Sequence, residues 1–167
     1  GEYATFSPST AIDSNWVVES GNVTVVDRWD GAVGSEGQQF LQLQGSEDKA
    51  KGPAKHHKHD HKSVGTISQS FATTVGEAYV LSFDHSALNY NSRPLALTYH
   101  LGGEEQMVKI RKWHKPVQKE WQSERYEFVA TQELTTLTLT GTWVKGFYGP
   151  SIDKLRIESV WQDPAEV

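Results

Sequence analysis

Leu134-Thr135-Thr136-Leu137-Thr138-Leu139-Thr140-Gly141-Thr142-Trp143 sets Leu137 and Leu139 against Thr136, Thr138 and Thr140 in alternation. A period of two sends the leucines to one face and the threonines to the other. β-branched threonine suits a pleated, half-buried surface, so the stretch reads as a strand and not as helix. The stretch that follows, Tyr148-Gly149-Pro150-Ser151-Ile152-Asp153-Lys154-Leu155-Arg156-Ile157, is a Gly-Pro turn feeding a last strand. Ile152, Leu155 and Ile157 are its apolar members, and Asp153 is the odd one: a carboxylate at the start of a strand, beside a tight turn.

The same period continues toward the N-terminus. Trp121 to Thr131 alternates, and so do Ala78 to Asp84 and Gly65 to Phe71, with Val75-Gly76-Glu77 as the turn between the last two. Pro94 to Leu101 and Gln106 to Trp113 flank Gly102-Gly103, a hairpin signal. Phe40 to Gly45 is a strand ending at glycine, and Trp16 to Glu19 and Asn22 to Val26 are short strands joined at Ser20-Gly21. Residues 27–37 carry three glycines and read as a loop. No window has a helical stripe. About ten short strands separated by Gly-, Pro- and Asn-bearing turns predict an all-β chain, a single antiparallel β-sandwich over residues 1–167. A Lys/His-rich insert at about 46–64 is its one biased segment.

A chain of 167 residues is long enough for a core, and its 6 Trp, 6 Tyr and 6 Phe fill space efficiently although hydrophobic residues are only 37 % of the total. There is no cysteine, which excludes a disulfide framework and a thiolate metal site. No apolar run approaches membrane-spanning length. The net charge of -5 is unevenly distributed: residues 49–62 and 109–119 together carry +9, so the rest carries -14. Such segregation predicts two opposite faces, and a basic patch that meets an acidic partner.

Three groups of residues are candidate sites. In an extended insert His57, His59 and His61 project to one side, a spacing that suits Zn²⁺, Cu²⁺ or Ni²⁺, against which stand Lys55, Lys58 and Lys62. On a strand Lys109, Arg111 and Trp113 share a face. A ring beside basic groups suits an anionic sugar chain, the ring stacking and the cations pairing with uronate or sulfate. Single-stranded nucleic acid wants similar groups, but the acidity of the chain argues for sugar. Trp29, Tyr90, Trp143 and Tyr148 fall in loops and could form a stacking platform at one end of a sandwich. Trp16 and Trp121 begin strands and are assigned to the core. Asn22-Val23-Thr24 is a glycosylation sequon.

The ordered set Trp16, Ser20-Gly21-Asn22-Val23, Phe40-Leu41-Gln42-Leu43-Gln44-Gly45, Gly65-Thr66-Ile67-Ser68-Gln69-Ser70-Phe71, Gly76-Glu77-Ala78-Tyr79-Val80-Leu81-Ser82-Phe83, Phe128-Val129-Ala130-Thr131 and Gly149-Pro150-Ser151-Ile152-Asp153 resembles the galactose-binding-domain-like jelly rolls. The nearest resemblance is to the plant cell-wall proteins of the domain of unknown function 642 and their bacterial secreted relatives. It implies an extracellular or cell-surface, largely non-catalytic protein that binds cell-wall polysaccharide. It also implies a structural Ca²⁺ between the N-terminal segment and the last strand, with Asp153 matching the last-strand aspartate and backbone carbonyls of residues 2–7 as its companions. Ser7 stands where the family has a ligand glutamate, and the cysteines of the plant members are missing.

Three function classes follow. The first is a secreted carbohydrate-binding module for cell-wall or matrix polysaccharide, favouring anionic glycans. The second is a structural subunit of a matrix or fibre that self-associates through complementary charged faces, since a head-to-tail contact that does not close makes filaments. The third, a glycoside hydrolase, has only abundant glutamates behind it; there is no Gly-x-Ser-x-Gly, no His-Glu-x-x-His and no phosphate loop.

Overall fold

The computed structural model describes residues 2–12, 15–27, 34–44, 46–47, 62–87, 95–110, 121–141 and 149–160. Its strands are β1 (Glu2–Phe6), β2 (Val17–Ser20), β3 (Asn22–Asp27), β4 (Gln39–Gln44), β5 (Ser46–Glu47), β6 (Lys62–Ser63), β7 (Thr66–Ala72), β8 (Ala78–Ser86), β9 (Leu95–Leu101), β10 (Glu104–Ile110), β11 (Gln122–Val129), β12 (Leu134–Gly141) and β13 (Ser151–Ser159). The described residues contain no helix. One sheet has the order β1-β3-β4-β13-β8-β11 and the other β10-β9-β12-β7-β2; β5 and β6 form a small ladder of their own. Neighbouring strands pair antiparallel throughout.

The expected sandwich is therefore present, and its alternating strands explain it. Leu137 and Leu139 of β12, Ile67 of β7 and Leu97, Tyr99 and Leu101 of β9 face inward from the five-stranded sheet. Val23, Leu43, Leu81, Phe83, Phe128 and Ile152 face them from the six-stranded one. Most are 0–2 % exposed. At about 1.5–3 kcal/mol for each fully buried side chain of this size, the interior supplies most of what opposes chain entropy.

Two connections differ from a simple hairpin reading. The strands on either side of Ser20-Gly21 belong to different sheets, and so do those on either side of Val75-Gly76-Glu77. These links turn the chain from one layer to the other. Gly21 sits at φ 63, and a Cβ there would lie 2.4–2.5 Å from Val64 and Gly65 backbone atoms, so only glycine fits this corner. The Gly102-Gly103 hairpin is as expected: φ is 61 and 89, and two left-handed residues match the twist of the strands they join.

Candidate functional site

Because directly paired residues of an antiparallel ladder share a face, the pairing lists what lies on the outside of the six-stranded sheet. One transverse row runs Thr5, Thr24, Gln42, Ser151, Ser86. Four of these five polar residues are buried on the outer side of the sheet, Thr24 at 3 %, Gln42 at 2 %, Ser151 at 0 % and Ser86 at 2 % exposure. The Ser151 hydroxyl has no hydrogen-bond partner among the described residues.

An aromatic pair lies over this row. Phe40 of β4 packs with Val26 and, edge-on, with Trp121, ring centroids 5.7 Å apart at 70°. Strands β13 and β8 separate β4 from β11, about 14 Å at the usual strand spacing. The two rings thus reach toward each other across β13 and β8. Trp121, expected in the core, packs against this smaller cluster on the outer face and not against the central one. It precedes Gln122, which faces inward opposite His85, so its own parity is outward. Trp16, by contrast, packs against the main core as expected.

The next row contains Asp153, Asp84 and Ser123. Two carboxylates directly opposite each other repel, and each is compensated separately. Ser123 Oγ donates to Asp84 Oδ1 at 2.5 Å. Asp153 Oδ2 accepts from the Glu36 backbone N–H at 2.9 Å and from Ser35 Oγ at 3.2 Å, while Oδ1 accepts from the Lys154 N–H at 2.7 Å. The third row contains Arg156, Ser82 and Arg125. Arg156 Nη2 donates to both carboxylate oxygens of Glu36 at 2.8 Å, and Arg125 Nη1 to Glu127 Oε1 at 2.5 Å.

A β-bulge makes this arrangement possible. The register of β13 on β8 gains one residue between Asp153 and Arg156, and Lys154 takes φ 53. Without the extra residue, strict alternation would bring Leu155 outward and Arg156 into the core. With it, Asp153 and Arg156 share the outer face while Leu155 and Ile157 pack inward. The uneven spacing of Ile152, Leu155 and Ile157 is the sequence signal for that bulge. The loop that meets Asp153 is equally constrained: a Cβ on Gly34 would lie 2.4 Å from Gln39 O and 2.7 Å from Asp153 Oδ2.

Asp153 thus anchors the 34–36 loop onto the last strand. The companions expected for it in a calcium site do not adjoin it. Strand β1 is three positions from β13 in the sheet, with β3 and β4 between them. Among the described residues no group of three or more His, Asp or Glu side chains could hold a metal ion. Of the other expected site residues, Lys109 is exposed on β10. Trp29, Tyr90, Arg111, Trp113, Trp143 and Tyr148, and the insert histidines His57, His59 and His61, lie outside the described residues.

Polar groups also mark the interior and the opposite face. His85 is 3 % exposed and faces inward near Phe83, and its Nδ1 has no partner among the described residues. Burial holds its pKa below the usual value, against an opposing pull from Asp84. One side of the sandwich is closed by Tyr126, whose hydroxyl donates to Glu104 Oε2 at 2.5 Å and whose ring packs edge-on to Tyr99. Burial, with Glu124 and Tyr126 nearby, pushes Tyr99 up to about 12. The outer face of the five-stranded sheet is a hydroxyl surface. Ser70 bonds Thr136 at 2.8 Å and Thr66 bonds Thr140 at 3.3 Å, with no Phe, Tyr or Trp ring among its described residues.

The family model for DUF642, a protein of unknown function, matches residues 12–158. The chain belongs to the DUF642 family. No curated protein sequence matches it. Solved structures share the fold of this DUF642 chain. It is similar to TmCBM61 in complex with beta-1,4-galactotriose, at TM-score 0.56 and 17 % identity over 88 % of this chain and 90 % of that one. It is similar to the xylan-binding CBM22 domain of a Paenibacillus barcinonensis protein, at 0.52 and 17 % over 98 % and 97 %. It is also similar to a cleaved adhesin domain of Lys-gingipain from Porphyromonas gingivalis, at 0.57 and 12 % over 96 % and 100 %. At these identities the likeness establishes the fold of the DUF642 chain.

Proposed function

We propose that this chain is a non-catalytic, secreted carbohydrate-binding module that takes a polysaccharide on the outer face of its six-stranded sheet. The observation that carries the reading is Trp121, partly exposed and edge-packed on Phe40, beside a row of carboxylates and arginines held in fixed pairs. A sugar offers an apolar ring face to an aromatic plane and hydroxyls to planar charged groups, and both are present within one face. Glycans bound by structural neighbours, a galactotriose and xylan, support the class. The pairing of Asp84, Asp153, Glu36 and Glu127 with donors argues for binding over hydrolysis, which needs an acid and a base free to move protons.

The charge of this face bears on the glycan. Asp84, Asp153, Glu36, Glu127 and Glu158 outnumber Arg125, Lys154 and Arg156, so the face suits an uncharged chain. The preference for anionic glycans rests on Lys109, Arg111 and Trp113, of which Lys109 alone is described, on a strand of the other sheet. Affinity electrophoresis against galactan, xylan and polygalacturonate tests both points. Binding of a neutral polysaccharide, weakened about tenfold or more by Trp121→Ala, as for loss of an aromatic anchor, supports the reading. Binding that Trp121→Ala leaves unchanged, in a variant with unaltered circular dichroism, refutes it.

A further inference from the structure

We propose that two copies of this chain associate edge to edge through β10, antiparallel about Met107, so that their five-stranded sheets become one continuous sheet. Strand β10 ends the order β10-β9-β12-β7-β2 and has one neighbour, β9, among the described residues. In an antiparallel ladder every second residue of an end strand turns its N–H and C=O away from its neighbour, ready to accept another strand. The residues on the outer face of this strand are Glu105, Met107 and Lys109, all exposed, and Met107 is 59 % exposed although it is the chain's only methionine and an apolar side chain.

The order acid, apolar, base is self-complementary under a two-fold axis. With Met107 on the axis, Glu105 faces Lys109 of the partner subunit and Lys109 faces Glu105 of the partner subunit, while the two thioethers meet between them. Sliding the strands by two residues in either direction sets Met107 against a charge and, among the described residues of β10, leaves the remaining charge of each copy without an opposite. A parallel arrangement in register opposes acid to acid and base to base. The charges thus protect the edge against most partners and admit one register, which is how a charged edge strand can be both guarded and specific. Glu105 is already oriented by His100 of β9, whose Nε2 lies 3.0 Å from its carboxylate in the same cross-strand row. The contact is small and belongs to the weak, reversible class. It is independent of the glycan reading, because Trp121 and Asp153 lie on the other sheet.

Sedimentation velocity of the full chain from micromolar to millimolar concentration tests it. The expected result is a concentration-dependent dimer. Lys109→Glu and Glu105→Lys should each weaken it about tenfold or more, since symmetry replaces two attractive cross-strand pairs by two repulsive ones. The double variant should restore it. Because the chain has no cysteine, a second measurement is clean: Met107→Cys should cross-link copies on mild oxidation, and Ser70→Cys, exposed on the same face but off the edge, should not. A monomer at every concentration overturns the proposal. So does association that survives both single reversals, or cross-linking as efficient from position 70 as from position 107.

Discussion

Replacing Asp153 by alanine tests the account of the outer face most directly. The carboxylate accepts three hydrogen bonds, from the Glu36 N–H, the Ser35 hydroxyl and the Lys154 N–H. A hydrogen bond contributes about 0.5–1.5 kcal/mol net. Asp153 is half-buried, so water replaces part of what is lost, and the total should be about 2 kcal/mol. For a domain of this length each kcal/mol moves the melting temperature by about 2–4 °C, so the expected drop is about 4–8 °C. Ser35→Ala removes one of the three bonds and should cost about a third as much. In a double-mutant cycle the two changes should couple by about 0.7 kcal/mol, since they share that bond. Thermal denaturation followed by circular dichroism reads all three variants. The same loss should appear with calcium and with a chelator, because the anchor works through N–H and O–H donors. A drop under about 1 °C would refute the anchoring role. A drop confined to calcium-containing buffer would assign the carboxylate to a metal instead.

Two further outcomes can be measured by denaturation of other variants. His85 is kept neutral by burial, its folded pKa below the unfolded 6.5, so its contribution is intact above pH 6.5 and is lost as the pH falls below it toward the folded value. Urea midpoints should therefore decline between neutral and mildly acidic pH, and His85→Leu should flatten that decline; an unchanged slope would show that other groups titrate there. Lys154 adopts φ 53, where a side chain costs about 1–2 kcal/mol relative to glycine, partly offset by the extra unfolded-state freedom of glycine, about 0.5–1 kcal/mol. Lys154→Gly should thus stabilise the chain slightly while Lys154→Val destabilises it, and equal melting temperatures for the two would remove the bulge argument.

Class and architecture were legible along the chain because burial on one face writes itself as a period of two. Leu137 and Leu139 against their threonines, the Gly102-Gly103 hairpin and the ordered motifs from Trp16 to Asp153 all depend on local geometry, and the structure has them where alternation puts them. Asp153 was visible as an anomaly for the same reason: a carboxylate interrupts an apolar period.

Its role could not be read that way. Which strands adjoin is a matter of long-range pairing, and residues 35 and 153 come into contact only because loop 34–36 meets the strand beside β4. The same holds for Trp121. Its place at the start of an alternating run fits either face, and a ring that reaches over two strands to Phe40 leaves no trace in the residues next to it. The sequence alone specifies which residues avoid water. Sheet order and one added residue at the bulge specify which polar groups meet, because a shift of one position exchanges the two faces of a strand.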